Sequence, residues 1–292
     1  MSFKPAHTGV PIPWWIKIIL KIVLSRLPFG YDQWRQVGLF RHGKMDQVNY
    51  VQNVFEWHVQ NAGFGECLQG KTLLELGPGD SIATAIIAAC YDARAIMIDS
   101  GDYALRDVSI YKSFALTLKE RGLDVPELSS AETREDILQI CKASYLCDGL
   151  SSFEEIADKS IDLIFSQAVL EHIPRGLFMA TMQESHRVLK SDGVASHFVD
   201  LKDHLGGGLN NLRFSAYVWE SDIFINSGFY TNRIRFSEMI SMFQYAGFRI
   251  ESVNLNRWEL NPIRKKNLSK DFEAISDDDL LVNGFDVRLI PV

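Results

Sequence analysis

Apolar positions along this chain of 292 residues alternate between short strand-length stretches and longer spaced sets. The short apolar-rich stretches fall at 72–76, 93–99, 143–149, 160–166 and 194–201 and read as strands of a covered sheet. Between them apolar residues recur three and four apart: Val48, Val51, Val54, Phe55 and His58; Ile82, Ala85, Ile86 and Ala89; Met179, Met182, His186, Val188 and Leu189. These sets predict helices, the first leading into the first strand, the second capped by Asp80 or Ser81, the third stopped by Gly193. The stretch 101–142 reads as mostly helical, with a break at "GLDVPELSS" and a capping sequence in "SSAETRED". Strand and helix thus alternate five times, which predicts an α/β chain with a parallel sheet covered on both faces.

The end of the chain departs from that rhythm. "FSEMISMFQYAGFRIESVNLNRW" predicts a helix stopped by Gly247 and then a strand, and "GFDVRLIPV" predicts a last strand. No helix-length apolar pattern clearly separates the two strands, so they are expected to pair antiparallel at one edge of the sheet. A short helix capped by Ser276 is expected between them. No repeat or low-complexity linker marks an internal boundary. The expected division is an N-terminal helical cap over 1–62 and one α/β domain over 63–292, with an insertion near 205–236.

Composition narrows the class. With 47% hydrophobic residues the chain can bury one large core. Cys67, Cys90, Cys141 and Cys147 show no metal-binding spacing and read as reduced core residues, which suggests a cytoplasmic protein. The net charge of −7 is uneven: residues 1–45 carry +6 and the remainder −13. An acidic body excludes duplex nucleic acid as a partner, since phosphate neutralisation needs a concentrated basic face. Only the N-terminal segment suits an anionic surface.

That segment holds "PWWIKIILKIVLSRLPFG", residues 13–30, an apolar run interrupted by Lys17 and Lys21. It falls short of the roughly 20 residues that cross a bilayer, and no small-residue cleavage site follows it. Lys17, Lys21 and Ser25 share one helical stripe while Trp14, Trp15, Ile18, Ile19, Ile22 and Val23 cover the rest, a pattern suited to peripheral contact in a membrane interface. Docking on the protein's own core is the commoner fate of such a helix.

Candidate chemistry begins at "LLELGPGDS", residues 73–81. Gly77-Pro78-Gly79 turns sharply from the first strand into a helix whose N-terminus offers N–H groups to an anion. Asp99 ends the second strand 20 residues past Gly79, where an acid can accept from both hydroxyls of a ribose. A dinucleotide-binding dehydrogenase is the rival, but its fingerprint needs a third small residue where this chain has Ile82. Glu75 faces the same loop and suits an ammonium group.

With these residues the chain resembles the class I S-adenosylmethionine-dependent methyltransferases, of the type 11-like kind. The likeness covers Thr72 to about Asp200 and rests on "ELGPGD", Asp99, Asp148 in "LCDG", "IDLIFSQAVLEHI" and "RVLKSDG". It implies a Rossmann-like, doubly wound, seven-stranded sheet and S-adenosyl-L-methionine as cofactor. It also implies cofactor contacts from Glu75, Gly77, Pro78, Gly79, Asp99, Asp148, Gly149, Ser166 and Gln167. Ser81 stands where a third glycine often occurs, and the segment between Asp99 and Asp148 is longer than usual. The whole chain also resembles methyltransferases found with polysaccharide-assembly enzymes.

Methyl transfer to a hydroxyl needs alignment and a base. Candidates gather where the fourth and fifth strands end: Glu171 and His172, then Asp200, Asp203 and His204. His204, beside the glycines 206–208, is the first choice, with Asp200 and His172 behind it. His172 also suits closing a helix start, and His197 reads as a packing residue. No spaced ligand set points to a metal. The insertion is expected to roof an acceptor pocket, with Asn211, Arg213, Tyr230 and Arg233 holding a small-molecule or glycan acceptor. Arg41 and His42 in "GLFRHG" suit either closure over the cofactor or a solvated hinge. The expected activity is O-methylation of a polar hydroxyl compound such as a sugar or lipid-linked glycan; a silent cofactor-binding subunit is the alternative.

Overall fold

The computed structural model describes residues 13–24, 47–65 and 67–292. Seven strands form one sheet in the order β3-β2-β1-β4-β5-β7-β6: β1 Thr72–Leu76, β2 Arg94–Ile98, β3 Ser144–Leu146, β4 Ile161–Gln167, β5 Leu189–Asp200, β6 Phe248–Arg257 and β7 Val282–Pro291. The first five pair in parallel, while β7 slots between β5 and β6 and runs antiparallel to both. This is the doubly wound sheet with an antiparallel end that the hydrophobic runs predict. Winding reverses between β1 and β4, which opens a crevice at their carboxyl ends.

Two cores, one per face, follow from strand periodicity. Leu73 points to one face and Leu74 to the other, both without solvent exposure, and each such burial contributes about 1.5–3 kcal/mol. The first face is covered by α2 Val48–Asn61, α3 Ala83–Cys90, α4 Val108–Glu120 and α5 Arg134–Ile140; the second by α6 Arg175–Val188 and α9 Phe236–Tyr245. Several caps stand where the sequence puts them. Thr133 and Asp136 form a capping box on α5, and Ser276 Oγ accepts from Asp279 N at the start of α10 Asp277–Leu281. Gly247 stops α9 with φ +97, and a Cβ there would lie 2.9 Å from His186 Nε2. At α3 the expected cap is corrected: its N-cap is Ile82, not Asp80 or Ser81, and no side chain caps that end, the Ser81 hydroxyl accepting only locally from Ala83 N.

Two further expectations are corrected. Gly193 does not stop α6, which ends at Val188; it lies inside β5, where the strand bulges against β4 and a Cβ would meet Leu189. The spaced pattern of α6 and the bulged start of β5 share apolar residues, so periodicity alone merges them. The cysteines are unpaired, but only Cys141 is buried and Cys67 is exposed.

The insertion folds as a roof over the carboxyl ends of β4 and β5. It contains α7 Ala216–Trp219 and α8 Asp222–Ile225, and Leu209 and Leu212 anchor it on Ile263, Leu268, Phe272 and Leu280. The N-terminal helix α1 Trp14–Leu24 docks on the roof: Ile18 is buried with Leu205, Trp219, Phe229 and Tyr230, and Trp14 meets Phe214 edge-on. By contrast α2 contributes Val51, Phe55 and Val59 to the same core as Leu73. Residues 25–46 fall outside the described residues, and with them Arg41, His42 and the end of the apolar segment.

Candidate active site

The loop after β1 is positioned by backbone. Gly77 N donates to Ile98 O at 2.8 Å, extending the β1–β2 ladder into the turn. Gly77 and Gly79 have φ +68 and +66, the left-handed region that glycine enters without cost. A Cβ on Gly77 would lie 2.6 Å from Val169 Cγ2, so a bare Cα lets the segment after β4 pass close to the loop. Pro78 is buried at the bend.

Two carboxylates face this turn. Asp99 Oδ2 accepts from Gly79 N at 3.1 Å and Oδ1 from Ser100 N at 2.7 Å; burial outweighs those bonds and raises its pKa to about 6. Glu75 is buried, and burial followed by the nearby Asp99 charge raises it to about 8 against a bond from Thr84. Its Oε2 has no partner. Gly149 N donates to Asp99 O at 2.9 Å, which brings exposed Asp148 to the same rim. Tyr145 Oη fixes the loop past β2 by donating to Gly101 O and accepting from Tyr103 N.

A partnerless buried carboxylate oxygen beside a second acid is costly unless a cation meets it. S-adenosylmethionine carries an ammonium, a sulfonium and a ribose diol, and the donor set here suits all three. The residues present therefore fit that cofactor.

Ser166 and Gln167 are placed differently from their neighbours. Ser166 is fully buried and its hydroxyl is engaged with His197 Nδ1 at 2.8 Å, inside the sheet. Gln167 Oε1 bonds His58 Nε2 at 3.2 Å, and His58 Nδ1 bonds Ser196 Oγ at 2.9 Å. Burial lowers both His58 and His197 to about 3, so both are neutral packing groups. This polar seam was hidden in the sequence because His58 and Ser196 are 138 residues apart.

At the ends of β4 and β5 the expected histidines meet. The rings of His172 and His204 lie 4.7 Å apart, edge to face. His172 Nδ1 bonds the Tyr230 carbonyl at 3.0 Å; a carbonyl only accepts, so Nδ1 carries the proton and the lone pair sits on Nε2. His204 is lowered by its packed surroundings and then by Lys21 and Lys202. The residue reaches solvent at the mouth of this cluster. Asp200 pairs with Lys202 at 3.2 Å. Asp203 is enclosed by its own loop, accepting from the backbone of Leu205, Gly206, Gly208 and Asn210.

The four residues expected on the acceptor do other work. Asn211 donates to Thr231 Oγ1, and Tyr230 Oη donates to Glu220 at 2.6 Å. Arg233 is buried against Glu220, the Phe214 carbonyl and the rings of Trp219 and Phe272. Arg213 bonds Asn210 and lies over Trp14. Asn211 and Arg233 also line a cavity of about 10 Å³ with Glu171 and Arg235, where Glu171 Oε2, Asn211 Oδ1 and the two Arg Nε atoms lack partners. That space suits one water and is too small for a sugar. These amides and guanidiniums therefore brace the roof, a role that residue type alone does not distinguish from ligand binding. The sequence placed Lys21 on the charged stripe of α1, and its charge also lowers His204, an effect the sequence did not foretell. Lys21 itself was legible as an interruption of an apolar run at helical spacing from Lys17.

Among the described residues no His, Cys, Asp and Glu group has metal-holding geometry, and no helix is long and apolar enough to cross a membrane.

Residues 74–196 match the family described as "Methyltransferase domain". No curated protein matches. Similar solved structures include an S-adenosylmethionine-dependent methyltransferase from Methanosarcina mazei, at 15% identity and TM-score 0.42 over 80% of this chain and 96% of that one. Another is that of Mesorhizobium loti, at 14% and 0.45 over 80% and 97%. Haemonchus contortus phosphoethanolamine N-methyltransferase 2, bound to phosphomonomethylethanolamine and S-adenosylhomocysteine, matches at 15% and 0.44 over 83% and 52%. The matched residues run from β1 into β5 and enclose the glycine turn, Asp99 and the first histidine of the pair; over this stretch the chain is similar to a methyltransferase domain.

Proposed function

We propose that the enzyme methylates a hydroxyl group of a polar acceptor such as a sugar or lipid-linked glycan. The supporting observation is the edge-to-face pair of His172 and His204 at the carboxyl ends of β4 and β5, on the same side of the sheet as the glycine turn. The donor, when bound, supplies a methyl group activated on sulfonium; the acceptor oxygen must lose its proton as it attacks. Glu75, Gly77 to Gly79, Asp99 and the Asp148–Gly149 corner would hold the donor. His204, neutral at pH 7 because its pKa is lowered, would take the hydroxyl proton, and His172, fixed by Tyr230, would orient it.

His204→Ala is expected to lower turnover by about 10²–10⁴-fold, the usual worth of a general base, while donor affinity by calorimetry stays unchanged. The acid limb of kcat/KM should fall below the ordinary histidine value of about 6.5. Unchanged turnover in both His204→Ala and His172→Ala ends this reading.

The N-terminal helix supports peripheral membrane contact as a further part of the proposal. Its docked face is Trp14, Ile18 and Ile22, and the opposite face exposes Trp15 by 52%, Ile19 by 56% and Val23 by 55%. A helix apolar on both sides, in a segment of net charge +6, suits an anionic interface. That would bring lipid-borne acceptors to the roof.

A further inference from the structure

The turn after β4, residues 168–173, carries His172 and is gripped from two sides. On one side Val169 fills the place of the missing Cβ of Gly77 in the glycine turn. On the other it meets the roof at 230–233. His172 Nδ1 donates to the Tyr230 carbonyl at 3.0 Å, and Glu171 Oε1 accepts from Asp200 N at 3.3 Å, which ties the turn to the end of β5.

Asn232 makes the closest set of contacts with this turn. It has no solvent exposure, and its N–H donates to Glu171 O at 2.7 Å. Its amide nitrogen donates to Leu170 O at 2.8 Å and to Ile173 O at 2.9 Å, while its amide oxygen accepts from Ile234 N at 3.0 Å. These partners fix the orientation of the amide: turned over, its oxygen would face two carbonyls and its NH2 an N–H group. Leu170, Glu171 and Ile173, the residues around His172, are thus all held by one residue of the roof.

The backbone is strained on both sides of this contact. Ala168 enters the turn at φ +55 and Arg233 follows Asn232 at φ +58, a conformation that non-glycine residues keep only where their surroundings impose it. The Arg233 guanidinium is tied to Glu220 and the Phe214 carbonyl. Thr231 is tied to Asn211 through its hydroxyl and to Trp219 through its carbonyl. Asn232 therefore bonds the turn from a segment whose neighbours are anchored in the roof.

We propose that Asn232 is the positioning residue of His172. It holds the turn where Nδ1 meets the Tyr230 carbonyl, which keeps the proton on Nδ1 and the lone pair on Nε2, beside the ring of His204. An imidazole released from that carbonyl exchanges between its two neutral tautomers. As a contribution to methyl transfer the inference rests on the function proposed above. The clamp itself is tested without turnover, so the two stand or fall separately.

The full chain is labelled with ¹⁵N-histidine and two-bond ¹H–¹⁵N correlation spectra are recorded at about pH 8, where an ordinary histidine is neutral; His172→Gln assigns the signals. Wild type should show His172 with its proton on Nδ1 alone. Asn232→Asp keeps the shape and the acceptor for Ile234 but sets an oxygen against the carbonyls of Leu170 and Ile173. His172 should then lose the single-tautomer pattern and show an average of both forms, while the signals of His58 and His197, inside the sheet, stay in place. A merely structural amide would lower the melting temperature and leave the tautomer of the folded protein unchanged. S-adenosylhomocysteine affinity by calorimetry should stay within about twofold, as for sites that share no partner. Should Asn232→Asp lose its fold, Asn232→Ser, whose hydroxyl can serve only one of the two carbonyls, carries the same comparison. A wild-type His172 protonated on Nε2, or a folded variant with His172 still on Nδ1 alone, overturns the proposal.

Discussion

Glu75 shows how a residue's surroundings turn an ordinary acid into a receptor for charge. Its side chain is shut inside β1 with one oxygen bonded by Thr84 and the other unpartnered. The folded pKa, about 8, lies above the unfolded value of 4.5, so the folded state holds a proton that the unfolded state has lost. Stability from this group is therefore complete below pH 4.5 and disappears as pH rises through 8. Without ligand, the melting temperature should fall between pH 6 and 8.5, and Glu75→Gln should flatten that fall. The same variant should bind S-adenosylmethionine about 10–100-fold more weakly, the cost of a lost charge-assisted bond; an unaltered affinity would show that no cation meets Glu75. His58 and His197 act with the opposite sign: their folded pKa of about 3 lies below 6.5, so their contribution is lost as pH falls from 6.5 toward 3.

At the scale of elements, the join between β1 and α3 depends on a packing coincidence with the segment after β4. Gly77 has φ +68 and Val169 fills the place of its missing Cβ. Gly77→Ala should cost about 1–3 kcal/mol through overpacking and a strained backbone, read by urea unfolding, and should impair donor binding. Adding Val169→Ala should return the packing share of that loss and leave the share due to φ. Purely additive effects of the two substitutions would mean that Val169 does not hold the loop in place. The glycine turn itself was legible from Gly77 and Gly79 in the sequence. Its partner was not, since a valine 92 positions away carries no local mark. The bulge that starts β5 was missed for a related reason: Gly193 looks like a helix stop until its pairing with β4 is known.

For the molecule as a whole, the unusual feature is a helix with two apolar faces, one packed on the roof and one in solvent. Replacing Trp15, Ile19 and Val23 with serine should leave the melting temperature within a few degrees, because those side chains bury little in the fold. Sedimentation with phosphatidylglycerol vesicles should fall by at least about tenfold, since each large side chain contributes on the order of 1.5–3 kcal/mol when buried. If the intact protein stays in the supernatant, the exposed face has another use. The sequence by itself determined the sheet, its order of strands and helices, the glycine turn and Asp99, because periodicity and glycine conformation are local properties of the chain. Tertiary structure decided which polar groups remain available. It spent Asn211, Tyr230 and Arg233 on the roof and Ser166 on His197, and it brought His172 to His204. Such assignments depend on burial and on partners far along the chain, and neither can be read from residue type.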